Sequence, residues 1–285
     1  MAFQVITDSC CDLSVAVRQE LNLAVAPLGV NLNGSYFEDG QMPHQEFYDA
    51  MRSGQAPTTS AVNPEGWGNV MEPVLKAGKD LLVLAFSSAL STTYQSAVIA
   101  ADELQERYPD RKIRVLDTLC ASVGQGLLVW HACKQCAQGR SLEETAAWVT
   151  EHAPNVAHWV TVDDLQYLKR GGRISATTAV VGTMLSIKPI IHIDDAGKLD
   201  SVEKSRGRKA ALHHLVQKLE ETVTEEGREL VFISHADCLE DAQSVAEAVK
   251  SQCGVKEVIL SDIGPVIGSH TGPGCLALCF LATAR

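Results

Sequence analysis

The sequence predicts an α/β protein made of two α/β domains. The first (residues 1–155) is built on a mostly parallel, Rossmann-like sheet, and the second (residues 156–285) on a mixed sheet with helices. Three observations carry this. Short apolar runs alternate with helix-like stretches along nearly the whole chain. The runs are continuous rather than alternating, as in strands covered on both faces of a parallel sheet. A hairpin then interrupts the pattern (KPIIHID, the turn DAGK, and LDSVEKS), after which strand and helix alternate again.

The strand-like runs, in order, are FQVIT, LAVAPLGVNL, DLLVLAF, KIRVLD, AHWVTV, KPIIHI, ELVFIS and EVILSDI. Local capping chemistry marks the helices between them. Asp12 can cap LSVAVRQEL, and Pro43 can open HQEFYDAMRSG. Pro64 begins PEGWGNVMEPVLKAG, because a helix tolerates proline in its first turn. Ser91 can cap TTYQSAVIAADELQERY, and Ser141 with Glu144 forms a capping box for LEETAAWVTEH. The change of pattern places the domain junction near residues 150–165. There are no internal repeats or low-complexity segments.

The composition, 46% apolar and 21% charged over 285 residues, is that of a globular protein. A net charge of −11 argues against nucleic acid as a partner, which requires a basic face. No run approaches the roughly 18 apolar residues of a membrane span. MAFQVITDSC has no basic leader region or cleavage site, so a cytoplasmic location is expected. In that reducing compartment the nine cysteines should be free thiols. Cys133 and Cys136 form a CxxC late in a predicted helix, away from the helix start that stabilises a thiolate, so both read as small buried side chains. Cys10 and Cys11, which follow a strand end, are the cysteines best placed for another role.

Ligands of open α/β sheets bind beyond the carboxyl ends of the strands. Short hydroxyls gather there: Ser9 after Asp8, then Ser87, Ser88 and Ser91, then Thr118 and Ser122, then Thr271. Hydroxyls and free amides at helix starts favour an anion, although Ser91 also reads as a simple N-cap. Nucleotide fingerprints (GxxxxGK[ST], GxGxxG after a strand) are absent, as are GxSxG and HExxH, so no nucleotide, cofactor or metal is expected. Two further stretches bear on the anion. In DDLQYLKRGGRISATTAVVGTMLSIKPII, Arg173 follows Gly171–Gly172 and precedes a run of small and apolar residues. This suits a ligand with an acidic head and an apolar body; the alternative is an Arg173 paired with Asp163 or Asp164. In GPVIGSHTGPG, glycines around His270 let backbone approach a ligand, and His270 reads either as a donor to an anion or as a structural histidine.

Taken together, VITDSCCDL, PTTSAVNP, SSALSTTYQSA, VLDTLCASVGQG, DDLQYLKRGGRIS, the KPII hairpin with SRGRKAAL, and IGSHTGPG resemble the DegV family over essentially the whole chain. These are bacterial fatty-acid-binding proteins that serve as acyl-carrying subunits of fatty acid kinase in phospholipid metabolism. The resemblance implies a long-chain fatty acid buried between the two domains. Carried over by motif, Thr59, Ser60, Ser91 and His270 would hold its carboxylate, and Arg173 would close that network. Met184, Leu185, Ile187, Ile191, Ile267 and Leu276 are the expected tail lining. The chain departs from the family's usual Gln-Pro-Ser at Ala61–Val62–Asn63 and from its LSGT at Leu90–Thr93.

A long acyl chain gains about 0.8 kcal/mol per buried methylene, on the order of 10 kcal/mol in all. Its carboxylate costs several kcal/mol if buried unpaired, so donors must stand at one end of an apolar tunnel. The implied protein is a non-catalytic lipid-binding subunit that presents the carboxylate to a separate fatty acid kinase catalytic subunit. It would make at most a peripheral, transient membrane contact. The basic patch around Arg206 and Arg208 reads either as a contact for the kinase or the new phosphate, or as a solvated helix start. Two other readings stand beside the carrier. One is a serine-based acyl hydrolase using Ser91, His270 and Asp8; the other is a regulatory lipid-binding module.

Overall fold

The structure, a computed structural model, describes residues 3–175 and 187–285. Its first half holds β1 (Phe3–Asp8), α1 (Val15–Glu20), β2 (Ala24–Ala26), β3 (Gly29–Leu32), β4 (Ser35–Glu38), α2 (His44–Arg52) and β5 (Thr58–Ser60). There follow α3 (Pro64–Lys76), β6 (Asp80–Ala85), α4 (Thr93–Arg107), β7 (Ile113–Asp117), α5 (Ser122–Ala137) and α6 (Leu142–His152). The second half holds β8 (Val156–Thr161), α7 (Gln166–Arg170), β9 (Ile187–Ile193), β10 (Leu199–Arg206), α8 (Arg208–Thr222) and α9 (Glu225–Glu229). It ends with β11 (Leu230–His235), α10 (Leu239–Cys253), β12 (Glu257–Asp262), α11 (Pro265–Thr271) and β13 (Leu276–Leu281).

The described residues form three sheets. The order β2–β1–β6–β7 is wholly parallel. A small antiparallel sheet has the order β4–β3–β5. The third, β10–β9–β8–β13–β11–β12, is mixed, with β11 and β12 parallel and its other pairings antiparallel. The α/β class with a parallel first sheet and a mixed second sheet is therefore present, and the hairpin β9–β10 forms as expected.

The departures have local causes. LAVAPLGVNL is not one strand: Pro27, which has no amide proton, separates β2 from β3, and the two halves join different sheets. β13 is an element the sequence reading does not include, yet it pairs with both β8 and β11. Its run LALCFL is apolar throughout, and such a short run cannot be told from a buried helix by periodicity. Asp12 does not cap α1; Ser14 does, through its hydroxyl to the Val17 amide. Asp12 instead closes the short turn Ser9–Cys11 in a left-handed conformation, φ 48°. The capping box of Ser141 and Glu144 is present.

Helix α5 packs against both large sheets, touching β1 and β6 on one side and β8, β11 and β13 on the other. Ser122 through Val129 are all buried. Burial of Leu127, Leu128 and Val129 contributes about 1.5–3 kcal/mol each, as an upper estimate. Two glycines make the close packing possible. A Cβ at Gly124 would fall 1.9 Å from the His158 ring, and one at Gly126 would fall 2.7 Å from the Cys11 carbonyl. None of the nine cysteines is joined in a disulfide, and only Cys238 is not buried. Burial pushes the Cys133 thiol up to about 12 and raises Cys136 as well, so neither member of the CxxC carries thiolate at neutral pH.

Candidate functional site

A cavity of about 490 Å³ lies between the sheets, within the range of about 300–1,000 Å³ that holds small-molecule ligands. Its walls come from β5, the turn after β6, the start of α5, strands β8, β9 and β13, the loop after α7, and helix α11. No acidic side chain lines it among the described residues.

Thr59, Ser60, Ser91, Arg173 and His270, from four separate stretches, all line this cavity. Thr59 and Ser60 are on β5, whose pairing with β3 sets Thr59 opposite Val30. The Nε2 of His270 is 2.8 Å from the Thr59 hydroxyl. Its Nδ1 is buried without a hydrogen-bond partner and packs on Gly171, where a Cβ would sit 2.1 Å away. Arg173 pairs with neither Asp163 nor Asp164. Its guanidinium donates to the Leu90 carbonyl at 3.1 Å and to the Gly171 carbonyl, so it spans from the His270 side to the turn that carries Ser91. Ser91 accepts from the Thr93 amide at 3.2 Å and pairs with the Thr93 hydroxyl at 2.9 Å. Thr92 is the formal N-cap of α4 and makes no side-chain cap bond, so Ser91 serves the helix start and lines the cavity at once.

Burial, reinforced by Arg173 and Arg170, lowers the His270 pKa to about 4. At neutral pH the ring is therefore neutral and can donate one hydrogen bond. Among the described residues Arg173 has only carbonyl oxygens as hydrogen-bond partners, and its positive charge meets no carboxylate there. Such a cluster can offer hydrogen bonds and a positive charge to an anion. The rest of the wall is largely apolar, including Leu28, Phe86, Val160, Ile193, Leu199 and Ile263.

The expected tail residues divide. Ile267 lines the cavity. Ile191 is buried on the face of β9 it shares with Ile193, but of these two it is Ile193 that lines the cavity. Ile187, the first residue of β9, is half-buried and is not part of the wall. Leu276 points away: period-two alternation along β13 sends Leu276, Leu278 and Phe280 into the core under α8 and α10, while Ala277 and Cys275 face the cavity. Met184 and Leu185 lie outside the described residues. The sequence reading passes over Leu168, Ile193 and Leu199, while Ser122, one of its hydroxyls after strands, lines the cavity and Gly171, from its double glycine, packs on His270.

Arg208 is not free for a partner. It is half-buried, donates to Asp241 at 2.8 Å and lies 3.8 Å from Asp163. Arg206 is exposed at the end of β10. The relay of Ser91, His270 and Asp8 is not formed. Ser91 is engaged with Thr93 and His270 with Thr59, while both carboxylate oxygens of Asp8 accept backbone amides, from Cys10 at 3.0 Å and Phe86 at 2.7 Å. Among the described residues no His, Cys, Asp and Glu side chains cluster so as to hold a metal ion, and no helix is long and apolar enough to cross a membrane.

The family model described as "Uncharacterised protein, DegV family" matches residues 2–283. A DegV domain-containing protein of Clostridium perfringens is 42% identical to this chain, over 99% of this chain and 98% of its own length. Among solved structures, a DegV family protein of Thermus thermophilus, described for its fatty acid binding, superposes with a TM-score of 0.90 at 32% identity, covering 99% of this chain and 100% of that one. A stearic acid-binding protein of Eubacterium ventriosum superposes with a TM-score of 0.88 at 26% identity, over 98% of each chain. With a family match from end to end and relatives this similar at full length, the chain belongs to the DegV family.

Proposed function

We propose that this protein binds one long-chain fatty acid in the cavity between its sheets. The carboxylate is held by Thr59, Ser60, Ser91, His270 and Arg173, and the acyl chain lies along the apolar wall. One observation carries this reading: a hydrogen-bonding cluster with an unbalanced guanidinium stands in the wall of a largely apolar cavity that has no acidic lining among the described residues. The anion gains charge-assisted hydrogen bonds, and the tail gains burial. The fatty acid and stearic acid binding of the two related structures supports the same reading.

The protein acts as a carrier in this account. Ser60, Thr92 and Gly172 are exposed around the polar cluster, so the head-group end reaches the surface. A separate ATP-dependent fatty acid kinase would meet the carboxylate there and convert it to an acyl phosphate. Arg206, Lys204 and Lys209 are exposed cations available to such a partner. The test is to incubate acyl-loaded protein with ATP, alone and with a fatty acid kinase from the same organism, and to trap acyl phosphate with hydroxylamine. Hydroxamate that forms only when the kinase is present is the expected result. Hydroxamate formed by the chain alone, or steady hydrolysis of an acyl thioester by it, would replace the carrier with an enzyme.

A further inference from the structure

At the N-cap of α11 lies a second, polar cavity of about 310 Å³, lined by Asp12, Asp39, Arg18, His44, Ser261, Asp262 and Gly264 among others. Asp12 and Asp39 converge there on the start of α11. The Asp12 Oδ1 accepts the Gly264 amide at 2.9 Å, and the Asp39 Oδ1 accepts the Val266 amide at 3.3 Å. A Cβ at Gly264 would be 3.1 Å from each of these two oxygens. The helix needs them. Its N-cap is Gly264, which has no side chain to offer, and Pro265 has no amide, so the first free donors of the turn have no local partner. Tyr48, donating to the Ile263 carbonyl at 2.7 Å, holds the approach to the same turn.

The far end of this seven-residue helix carries His270. Asp12 also touches the cavity wall directly: its Oδ2 accepts from the Ser122 hydroxyl at 2.5 Å, and Ser122 lines the fatty-acid cavity with a left-handed φ of 51°. Its carbonyl accepts from Ser261. One carboxylate thus ties together the loop after β1, the start of α5 and the helix that bears the head-group histidine. Asp39, from the loop after β4, braces the same helix from a second side.

We infer that Asp12 and Asp39 are positioning residues for the head-group site, holding α11 so that His270 faces Thr59. The binding part of this inference rests on the proposed fatty-acid site; the positioning part does not. Neither residue lines the fatty-acid cavity, and both act through α11. Burial sets the Asp12 pKa at about 7 and raises that of Asp39, so the charge on this brace changes across neutral pH. The groups around the pair are Asp8, Cys10 and Cys11 on the β1 side, Arg18 from α1, His44 and Tyr48 from α2, Asp262 at the end of β12, and Cys275 before β13. Around His270 they are Arg170 and Arg173.

The experiment follows the titration of the His270 ring by NMR in the delipidated full-length protein, together with stearate affinity, in Asp12→Ala, Asp39→Ala and the two Asn variants. Ser141→Ala, which removes the cap of α6, serves as a control that costs stability without touching α11. The expected result is a His270 midpoint that rises by about one unit or more, from about 4 toward the ordinary value near 6.5, in the Ala variants only. Stearate affinity should fall by about tenfold, equivalent to ~1.4 kcal/mol. The Asn variants, which keep an acceptor for each amide, should restore most of both. If Asp12→Ala does not fold, Asp39→Ala decides. An unmoved His270 midpoint in folded Ala variants, with stability lost as in Ser141→Ala, would overturn the inference. A wild type that binds no stearate would remove the proposed function and leave the His270 titration as the test of positioning.

Discussion

The Nε2 of His270 lies 2.8 Å from the Thr59 hydroxyl, joining a helix near the end of the chain to a three-residue strand in its first half. Among the described residues neither has another side-chain hydrogen-bond partner, and the ring's other nitrogen faces Gly171 with no hydrogen bond. The pair therefore sits open to a ligand, with Arg173 close enough to lower the His270 pKa. A bound carboxylate reverses that electrostatic balance. The His270 midpoint, about 4 without ligand, should rise by at least about one unit when the protein is loaded with a fatty acid. Ring NMR on loaded and delipidated protein measures it; an unchanged midpoint would place the carboxylate elsewhere.

Gly171→Ala should separate binding from stability. Gly171 has a right-handed helical conformation, φ −72°, which alanine adopts freely, but the added methyl would meet His270 Nδ1 at 2.1 Å. The ring must move, at a cost of about 1–3 kcal/mol in the site, which is about 5–150-fold in fatty-acid affinity. The melting temperature should change by only a few degrees. A Gly171→Ala protein that binds normally would show that the His270 position is not needed.

Gly124→Ala should destabilise the fold itself. Its methyl would collide with the His158 ring, which is fully enclosed and accepts the Ala121 amide at 3.3 Å. Denaturant unfolding should show a loss of about 1–3 kcal/mol or more. The same substitution at Gly139, where no atom lies within 4 Å of the Cβ position, removes no packing and meets only the strain of its positive φ.

Stability should depend on pH through two opposing sets of buried groups. Burial raises Asp8 to about 6 and Asp12 to about 7. Groups raised in the folded state bind protons there that the unfolded chain does not, so their contribution is full below the ordinary carboxylate range and is lost as pH rises through 6–7. Burial lowers His158 to about 3 and His131 to about 4. Their contribution is present above about 6.5 and is lost as pH falls toward 3–4. Asp12→Asn isolates one member. Relative to wild type, its unfolding free energy should rise between pH 5 and pH 8, with a slope of at most about 1.4 kcal/mol per pH unit. A constant difference across that range would mean that Asp12 stays ionised throughout.

Charge reversal separates the two arginines of the basic patch. Arg208→Glu places a third acid beside Asp163 and Asp241 and should lower stability before any partner is involved. Arg206→Glu changes an exposed side chain and should leave stability within about 0.5 kcal/mol. If kinase-dependent turnover also stays normal in Arg206→Glu, the partner role of this patch is lost.

Much of the fold was legible because its signals are local. The capping box at Ser141, the proline starts at Pro43 and Pro64, and the β9–β10 hairpin all appear where turn and cap chemistry place them. What was not legible depends on pairing across the chain. β13 has no polar alternation, and its place in the sheet is set by β8 and β11 rather than by its own sequence. The direction of Leu276 follows from that register, so the sequence could not assign it to the cavity or to the opposite core. Ser91, Arg173 and His270 were legible as cavity residues because hydroxyls after strands, a double glycine before an arginine, and a glycine-flanked histidine each mark a close approach of backbone, whereas Thr59 and Ser60 came only from the family resemblance. The apolar half of the site was not legible, because any buried aliphatic side chain satisfies the same composition. The braces on α11 were hidden for a similar reason: an aspartate that caps a distant helix resembles one that caps its own, and Asp12 stands in sequence just before α1.

The most direct measurement is to denature the purified recombinant protein, extract it with organic solvent, and identify lipid by mass spectrometry in wild type, His270→Ala and Ser91→Ala. The account predicts about one fatty acid per folded wild-type chain and clearly less in both variants. A well-folded wild type that yields no fatty acid, or variants that retain it in full, would contradict the proposed site.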